Sequence, residues 1–313
     1  MCGRHTTRSL RTPHPAGNRY LGDTMIHRFT VGGLACAVIS DGQSEPPMEP
    51  PLAAFYRPGT GVPEHELRAA VAAEGRGRST LTCAYNCLCV QTPAGLAVVD
   101  AGLGPGFLGY GPAFAPLVGR FGAGLAEAGF ELPDLAAVVF THLHEDHVRG
   151  AVRAGERAFP EAVAYAHAAE VEFWSDRDDV LPDEQRAAAR EAIRLFGERL
   201  RPVGYGIEVL PGVHTVDAAG HTPGHTAVLL RSRGERLLCL GDTFYDPLQL
   251  ANPAWRTPWD HDAARSVASR RRLLDWAAED GLLVHAYHLP FPGLGRIERR
   301  GAAFTWHPLA TTG

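Results

Sequence analysis

Thr141-His142-Leu143-His144-Glu145-Asp146-His147 packs four potential metal ligands into six residues. The stretch follows directly on Ala136 to Phe140, an apolar run that reads as a buried strand. The cluster therefore stands where a strand leaves its sheet. Imidazole suits zinc, iron or manganese, and the carboxylate adds negative charge. His142 and His144 can converge on one metal, while Asp146 and His147 turn toward a second. The plain alternative is a polar loop with incidental histidines. Matching parts downstream argue against it: Gly220-His221-Thr222-Pro223-Gly224-His225-Thr226, Leu238-Cys239-Leu240-Gly241-Asp242, and His288 in Ala286-Tyr287-His288-Leu289-Pro290.

Working outward, two β-type runs open the fold, Ile26 to Val31 and Ala35 to Ile39. A Pro-rich connector from Asp41 to Pro63 follows and holds the pair Phe55-Tyr56. Connectors of this length are uncommon unless functional or disordered. The expectation is that it lies over the metal site, with Phe55 and Tyr56 as candidates for an apolar wall; a contact with a second copy of the chain is the alternative. Glu64 to Glu74 reads as a helix with Leu67, Ala70 and Val71 on one face. Asn86 to Gln91 and Leu96 to Val99 read as a hairpin ending at Asp100. Leu117, Phe121, Leu125 and Ala128 mark a helical face stopped by Gly129. Ala162 to Ala166 is a strand that leads into a helix through Trp174, and Asp183 to Leu200 reads as the longest helix.

The second half repeats this grammar. Strands are expected near Ile207-Leu210, Val213-Val216, Ala227-Arg231, Leu237-Leu240, Leu282-Ala286, Arg296-Arg299 and Ala303-Trp306, with a helix over Asp262 to Ala278. Hairpins and helices alternating in two halves predict an α/β architecture: two mixed sheets face to face with helices outside, an αββα sandwich. No linker separates the halves, so residues 25–313 read as one domain. Residues 1–24 are polar and Arg-rich and lack the apolar core of a secretory signal. They read as a disordered tail, or as an over-extended start with Met25 as the natural one.

A net charge of -5 gives no electrostatic reason to expect nucleic acid. No apolar run approaches the roughly 20 residues of a membrane helix. The six cysteines fall mostly in apolar strand-like runs. Cys87 and Cys89 share one strand face, but no second pair completes a zinc site. They read as buried free thiols in a reducing cytoplasm.

His-x-His-x-Asp-His after a strand resembles the signature of the metallo-β-lactamase superfamily. The Gly-His-Thr turn, the Asp after an apolar strand and the C-terminal His are similar to the family's remaining ligands, in order. The resemblance runs from Ile26 to Pro308. It implies two divalent metal ions, zinc first, with Mn, Fe or Co as alternatives. His142, His144 and His221 would hold one metal, and Asp146, His147 and His288 the other, with Asp242 as a bridge. Within the pattern His221 is preferred to His225 and His288 to His285, and His167 falls outside it. Asp100 would orient ligand imidazoles, or merely stabilise its turn. Glu145 stands where the family often has an apolar residue, and no role is assigned to it. Two metals about 3.5–4 Å apart can share a hydroxide and lower the pKa of water to roughly 7.

Asp242 argues against true β-lactamases, and His144 against flavodiiron oxidoreductases. Phe159-Pro160-Glu161-Ala162, Glu170 to Trp174, and His288 to Gly295 resemble the branch with methyl parathion hydrolase and quorum-quenching lactonases. The catalytic candidates are Asp146, which is also a ligand, and Tyr245, whose phenol can hold a developing oxyanion. The function expected is opening of a lactone or carboxylic ester by a bridging hydroxide. An organophosphate triester is the second substrate class, and a non-catalytic metal-binding protein the reading of another kind. The expected partner is a small ester or lactone, with a homodimer as the candidate assembly.

Overall fold

Side chains that alternate along each strand divide the core into layers. In the computed structural model of the chain the described residues are 25–44, 51–56, 62–74, 78–109, 113–176 and 183–309. The expected tail, 1–24, and parts of the connector, 45–50 and 57–61, lie outside them. The strands in chain order are β1 (Ile26–Val31), β2 (Leu34–Gln43), β3 (Ala84–Thr92), β4 (Gly95–Val99), β5 (Leu135–Val139), a small hairpin of β6 (Val152–Arg153) and β7 (Glu156–Arg157), β8 (Val163–His167), β9 (Leu200–Val203), β10 (Glu208–Leu210), β11 (Val213–Asp217), β12 (Thr226–Ser232), β13 (Glu235–Cys239), β14 (Leu283–His285), β15 (Leu294–Arg300) and β16 (Ala303–Pro308). The helices are α1 (Leu52–Tyr56), α2 (Glu64–Ala73), α3 (Phe121–Glu127), α4 (Glu145–Val148), α5 (Ala168–Asp176), α6 (Asp183–Phe196), α7 (Pro247–Ala251) and α8 (Ala263–Glu279).

Among the described residues the strands form two seven-stranded sheets, β1-β2-β3-β4-β5-β8-β9 and β10-β11-β12-β13-β14-β15-β16. Val38, Leu88, Val90, Ala97 and Val99 of the first sheet meet Val228, Leu230, Leu237 and Cys239 of the second, and this is the inner layer. Their strand neighbours point the other way. Ile39, Cys87, Cys89 and Val98 pack with Leu125 of α3, Trp174 of α5 and Phe196 of α6. Ala227, Leu238 and Val284 pack with Leu273, Leu274 and Ala277 of α8. The architecture is the expected αββα sandwich of two mixed sheets. Among the described residues no helix is long and apolar enough to cross a membrane.

The element boundaries depart from expectation in three places. Leu117 does not share a helix with Phe121: it ends a short 3-10 turn, Val118 is extended, and Gly119 at φ 84° passes against Pro105. The helix expected over Asp183 to Leu200 ends at Phe196, beyond which Gly197 takes φ 46° and Leu200 opens β9. The longest helix among the described residues is consequently α8, with 17 residues against 14 in α6. The connector is not structureless, because α1 forms inside it.

Candidate metal centre

The candidate ligands meet on one rim of the sandwich. β4 runs parallel to β5, and β13 parallel to β14, so each pair brings its C-terminal ends to the same edge. Crevices beyond such ends are where sites in mixed sheets form. β4 delivers Asp100, β5 delivers Thr141 to His147, β13 leads to Asp242 and β14 to His288. The turn between β11 and β12 adds His221. Gly241, at φ 49°, lets the chain turn against His225, since a Cβ there would stand 2.7 Å from His225 Nε2.

Two groups result, His142, His144, His221 and Asp242 in one and Asp146, His147 and His288 in the other, with the donor atoms of each group within 4.8 Å of one another. In the first, His144 Nδ1 lies 2.8 Å from His142 Nε2 and 2.9 Å from His221 Nε2. Asp242 Oδ2 lies 3.4 Å from His221 Nε2 and 3.7 Å from His142 Nε2. In the second, Asp146 Oδ2 lies 3.5 Å from His288 Nε2 and 3.7 Å from His147 Nε2. Asp242 Oδ1 reaches this group too, 3.1 Å from His147 Nε2 and 3.2 Å from His288 Nε2. Asp242 thus faces both halves.

The outer nitrogens of these rings fix their tautomers. Asp100 accepts at Oδ2 from Thr141 Oγ1 and from His147 Nδ1, at 2.8 and 2.9 Å. Thr141 Oγ1, having given its proton away, accepts from His142 Nδ1 at 3.1 Å. His221 Nδ1 donates to Asp260 Oδ1 at 3.2 Å, and His288 Nδ1 to the Ala84 carbonyl at 3.0 Å. With neutral rings, every one of these histidines turns an Nε2 lone pair inward, toward other lone pairs. His144 Nδ1 has one proton at most and cannot serve both His142 and His221. His147 Nε2 and Asp242 Oδ1 are buried and form no hydrogen bond although 3.1 Å apart. Converging lone pairs repel unless a cation sits between them, so the residues fit divalent metal. Their N and O donors are those of zinc sites.

The charge balance agrees. Burial, reinforced by neighbouring imidazoles, holds His142 and His144 well below the usual imidazole range, which keeps them in the neutral form that ligates. Burial also opposes charge on His147 and His288, but Asp242 and the neighbouring carboxylates together outweigh it and raise both. Asp242 demands a positive neighbour, as a metal ion would be. Asp100 itself stands at φ 57°, a costly angle for a non-glycine residue, held by its bonds to Thr141 and His147.

Tyr245 lies inside the cluster. Its hydroxyl donates to Asp242 Oδ2 at 2.5 Å, lies 3.2 Å from His221 Nε2, and its ring stacks on His288 at 4.7 Å. Burial and then Asp242 push the phenol well above its usual range, so it remains a donor. Phe55 packs edge-on to Tyr245 at 5.5 Å, as the connector reading requires. Tyr56 instead packs on Phe55 and Trp255 and is fully buried. The wall is completed by Trp259, which the sequence reading missed, 5.4 Å from Tyr245 and 5.1 Å from Phe55. Asp260 was missed as well. It carries no motif, and Trp259-Asp260-His261-Asp262 looks like any polar approach to a helix.

The competing histidines separate cleanly. His225 donates from Nδ1 to the Ala218 carbonyl and accepts the Asp242 N–H at Nε2, so it supports the Asp242 backbone. His285 faces Cys239 on the sheet, and His167 stacks on Tyr205. Cys87 and Cys89 are buried and free.

A family model described as the metallo-beta-lactamase superfamily matches residues 81–288, more than half of the chain. An N-acyl homoserine lactonase from Bacillus sp is 28% identical over 148 residues, which are 47% of this chain and 53% of that protein. The chain thus spans about half the length of this curated relative. The solved structure of AidC, a dizinc quorum-quenching lactonase in complex with a product, superposes with a TM-score of 0.82 at 24% identity, covering 93% of this chain and 99% of that one. The hydrolase AbOPH of the beta lactamase superfamily gives 0.79 at 23% identity, covering 96% and 100%. At these identities the two structures speak for the fold alone.

Proposed function

We propose that this chain, which belongs to the metallo-beta-lactamase superfamily, is a metal-dependent hydrolase that opens a lactone or a related carboxylic ester. The observation that carries the reading is the Tyr245 hydroxyl, 2.5 Å from Asp242 and 3.2 Å from His221 at the centre of the ligand cluster. His142, His144, His221 and Asp242 would hold one divalent ion, and Asp146, His147 and His288, with Asp242 shared, a second; zinc suits this donor set. Bound metal would supply hydroxide from water near neutral pH and polarise the carbonyl oxygen, so that the carbonyl carbon is the atom attacked.

The chain's own groups do the rest. The Tyr245 hydroxyl donates to the carbonyl oxygen as that oxygen gains negative charge. Asp146, with its side chain 18% exposed where the other carboxylate of the cluster, Asp242, is 2% exposed, faces the entrance. Its other carboxylate oxygen, the one not turned toward His147 and His288, takes the proton of the attacking water and returns it to the alkoxide released when the ring C–O bond breaks. Trp259, 41% exposed and backed by the buried Phe55, offers an apolar surface beside Tyr245, suited to an acyl chain. The Bacillus relative's lactonase activity supports the same substrate class.

Tyr245→Phe tests the reading, because it keeps the ring and removes the donor. Losing one such donor costs about 2.7–4 kcal/mol in a well-organised hole, and less where a metal shares the charge. The rate on an N-acyl homoserine lactone should fall with zinc content unchanged. A phosphotriester, whose tetrahedral centre leans less on this phenol, should lose less. An unchanged lactone rate, or an equal fall on both, overturns the preference for lactones.

A further inference from the structure

We infer that Glu170 is a positioning residue that fixes one half of the metal centre, His142, His144 and His221, by joining the two turns that carry them. The inference rests on reading the cluster as a metal site. Glu170 sits in the first turn of α5, is 0% exposed, and touches none of the ligands itself. Its carboxylate accepts three N–H groups from three segments. Oε2 accepts from the Leu143 amide at 3.1 Å and from Trp174 Nε1 at 2.9 Å. Oε1 accepts from the Gly224 amide at 2.8 Å.

Each donor leads to a candidate ligand. Leu143 lies between His142 and His144, so anchoring its amide sets the backbone from which both rings project. Trp174, buried and held through its indole N–H, packs edge-on to the His144 ring at 5.4 Å. Gly224 belongs to the His221 turn. That turn presses so closely on α5 that a Cβ at Gly224 would stand 2.8 Å from the Glu170 amide nitrogen. Leu143 follows a strand of the first sheet, and Gly224 precedes a strand of the second. Glu170 is thus a buried acceptor between the two halves of the sandwich, placed where their histidines must meet.

The other half of the centre has separate supports. His147 is held by Asp100, His288 by the Ala84 carbonyl, and the Asp146 carbonyl accepts from the Tyr287 hydroxyl at 2.6 Å. None of these passes through Glu170. The consequence is asymmetry: loss of Glu170 should loosen one metal and spare the other. A glutamine can present only one oxygen. Whichever way its amide turns, its NH2 group faces an N–H donor, and either the Gly224 bond or the Leu143 and Trp174 bonds are lost.

The test is a zinc competition titration against a chromogenic chelator, on wild type and Glu170→Gln, under conditions where circular dichroism shows both folded. Glu170→Gln should weaken one zinc equivalent by about 10- to 100-fold, the usual effect of removing an outer support, and leave the other within a few-fold. If Glu170→Gln does not fold, Trp174→Phe decides. It keeps a ring against His144 and removes one donor, and should weaken the same single equivalent by a smaller factor. Equal weakening of both equivalents, or of neither, overturns the role given to Glu170. A wild type that holds no zinc removes the metal-centre reading instead, so the two failures are distinct.

Discussion

His285 shows what a histidine costs when no ligand or base needs it. It lies on β14, ahead of His288, with Nδ1 3.2 Å from Cys239 Sγ and Nε2 buried without a hydrogen bond. Burial pushes its pKa down to about 3. In the unfolded chain an imidazole titrates near 6.5. The folded value is depressed, so between these two pKa values the unfolded state binds more protons. The contribution to stability is fully present above about pH 6.5 and is lost as pH falls, by up to about 1.4 kcal/mol per pH unit for one group. His285→Leu removes this term and the orphaned nitrogen together. In urea titrations on chelated protein, the stability of His285→Leu relative to wild type should rise as pH is lowered from 7 to 5. A difference that stays flat across that range refutes the assignment. His225, also pushed to about 3 by burial, differs because both of its nitrogens are engaged, one of them by the Asp242 amide. The same residue type therefore serves as candidate ligand, scaffold or burden, according to what its two nitrogens meet.

The loop between α7 and α8 carries several roles at once. Its Trp259 is 41% exposed beside Tyr245 and Phe55, its Asp260 accepts from His221, and the His261 amide donates to the His221 carbonyl at 2.9 Å. Arg270 of α8, fully buried, holds the loop from beneath through the Pro253 and Trp255 carbonyls and ties it to the Thr243 carbonyl, ahead of α7. An indole that is half wall and half surface should meet the distal part of a substrate, away from the reacting bond. Trp259→Ala is accordingly expected to raise KM for long-chain N-acyl homoserine lactones more than for short-chain ones, with kcat on the shortest little changed. Equal effects at all chain lengths would place the acyl chain elsewhere. None of this loop was legible in the sequence, whereas the seven candidate ligands were. Ligand histidines come in dense, ordered motifs because they leave strand ends together. Supports such as Asp260 and Glu170 are single carboxylates whose partners lie far away in sequence, and α/β patterning says nothing about which loop will cover a rim. Strand β9 escaped for a related reason: Leu200-Arg201-Pro202-Val203 pairs at a sheet edge, with Arg201 and Pro202 exposed, so its apolar alternation is weak.

At the scale of the whole molecule, neither sheet holds a complete site. The first supplies His142, His144, Asp146 and His147; the second supplies His221, Asp242 and His288. Asp242 crosses between them, 3.1 Å from His147 of the first sheet and 3.2 Å from His288 of the second. Cations bound there would act as a staple between two layers that are also joined at this rim by apolar contacts and by hydrogen bonds, among them those of Glu170, of His288 to the Ala84 carbonyl and of the Thr226 amide to the Thr141 carbonyl. A ligand that binds the folded chain alone stabilises it by RT ln(1 + [L]/Kd), about 4.1 kcal/mol at a thousandfold excess over Kd. Chelation should therefore lower the melting temperature by several degrees, and zinc should restore it in proportion to the logarithm of its concentration. The geometry makes a sharper demand. Asp242→Asn keeps the shape but removes the charge that attracts cations from both sides, so the gain in melting temperature per decade of zinc should shrink relative to wild type. Asp146→Asn, which faces one half only, should lose less of it. If chelation leaves the melting temperature of wild type unchanged, or if zinc raises Asp242→Asn as much as wild type, packing and hydrogen bonds close the rim without metal and the staple is no part of the fold's stability.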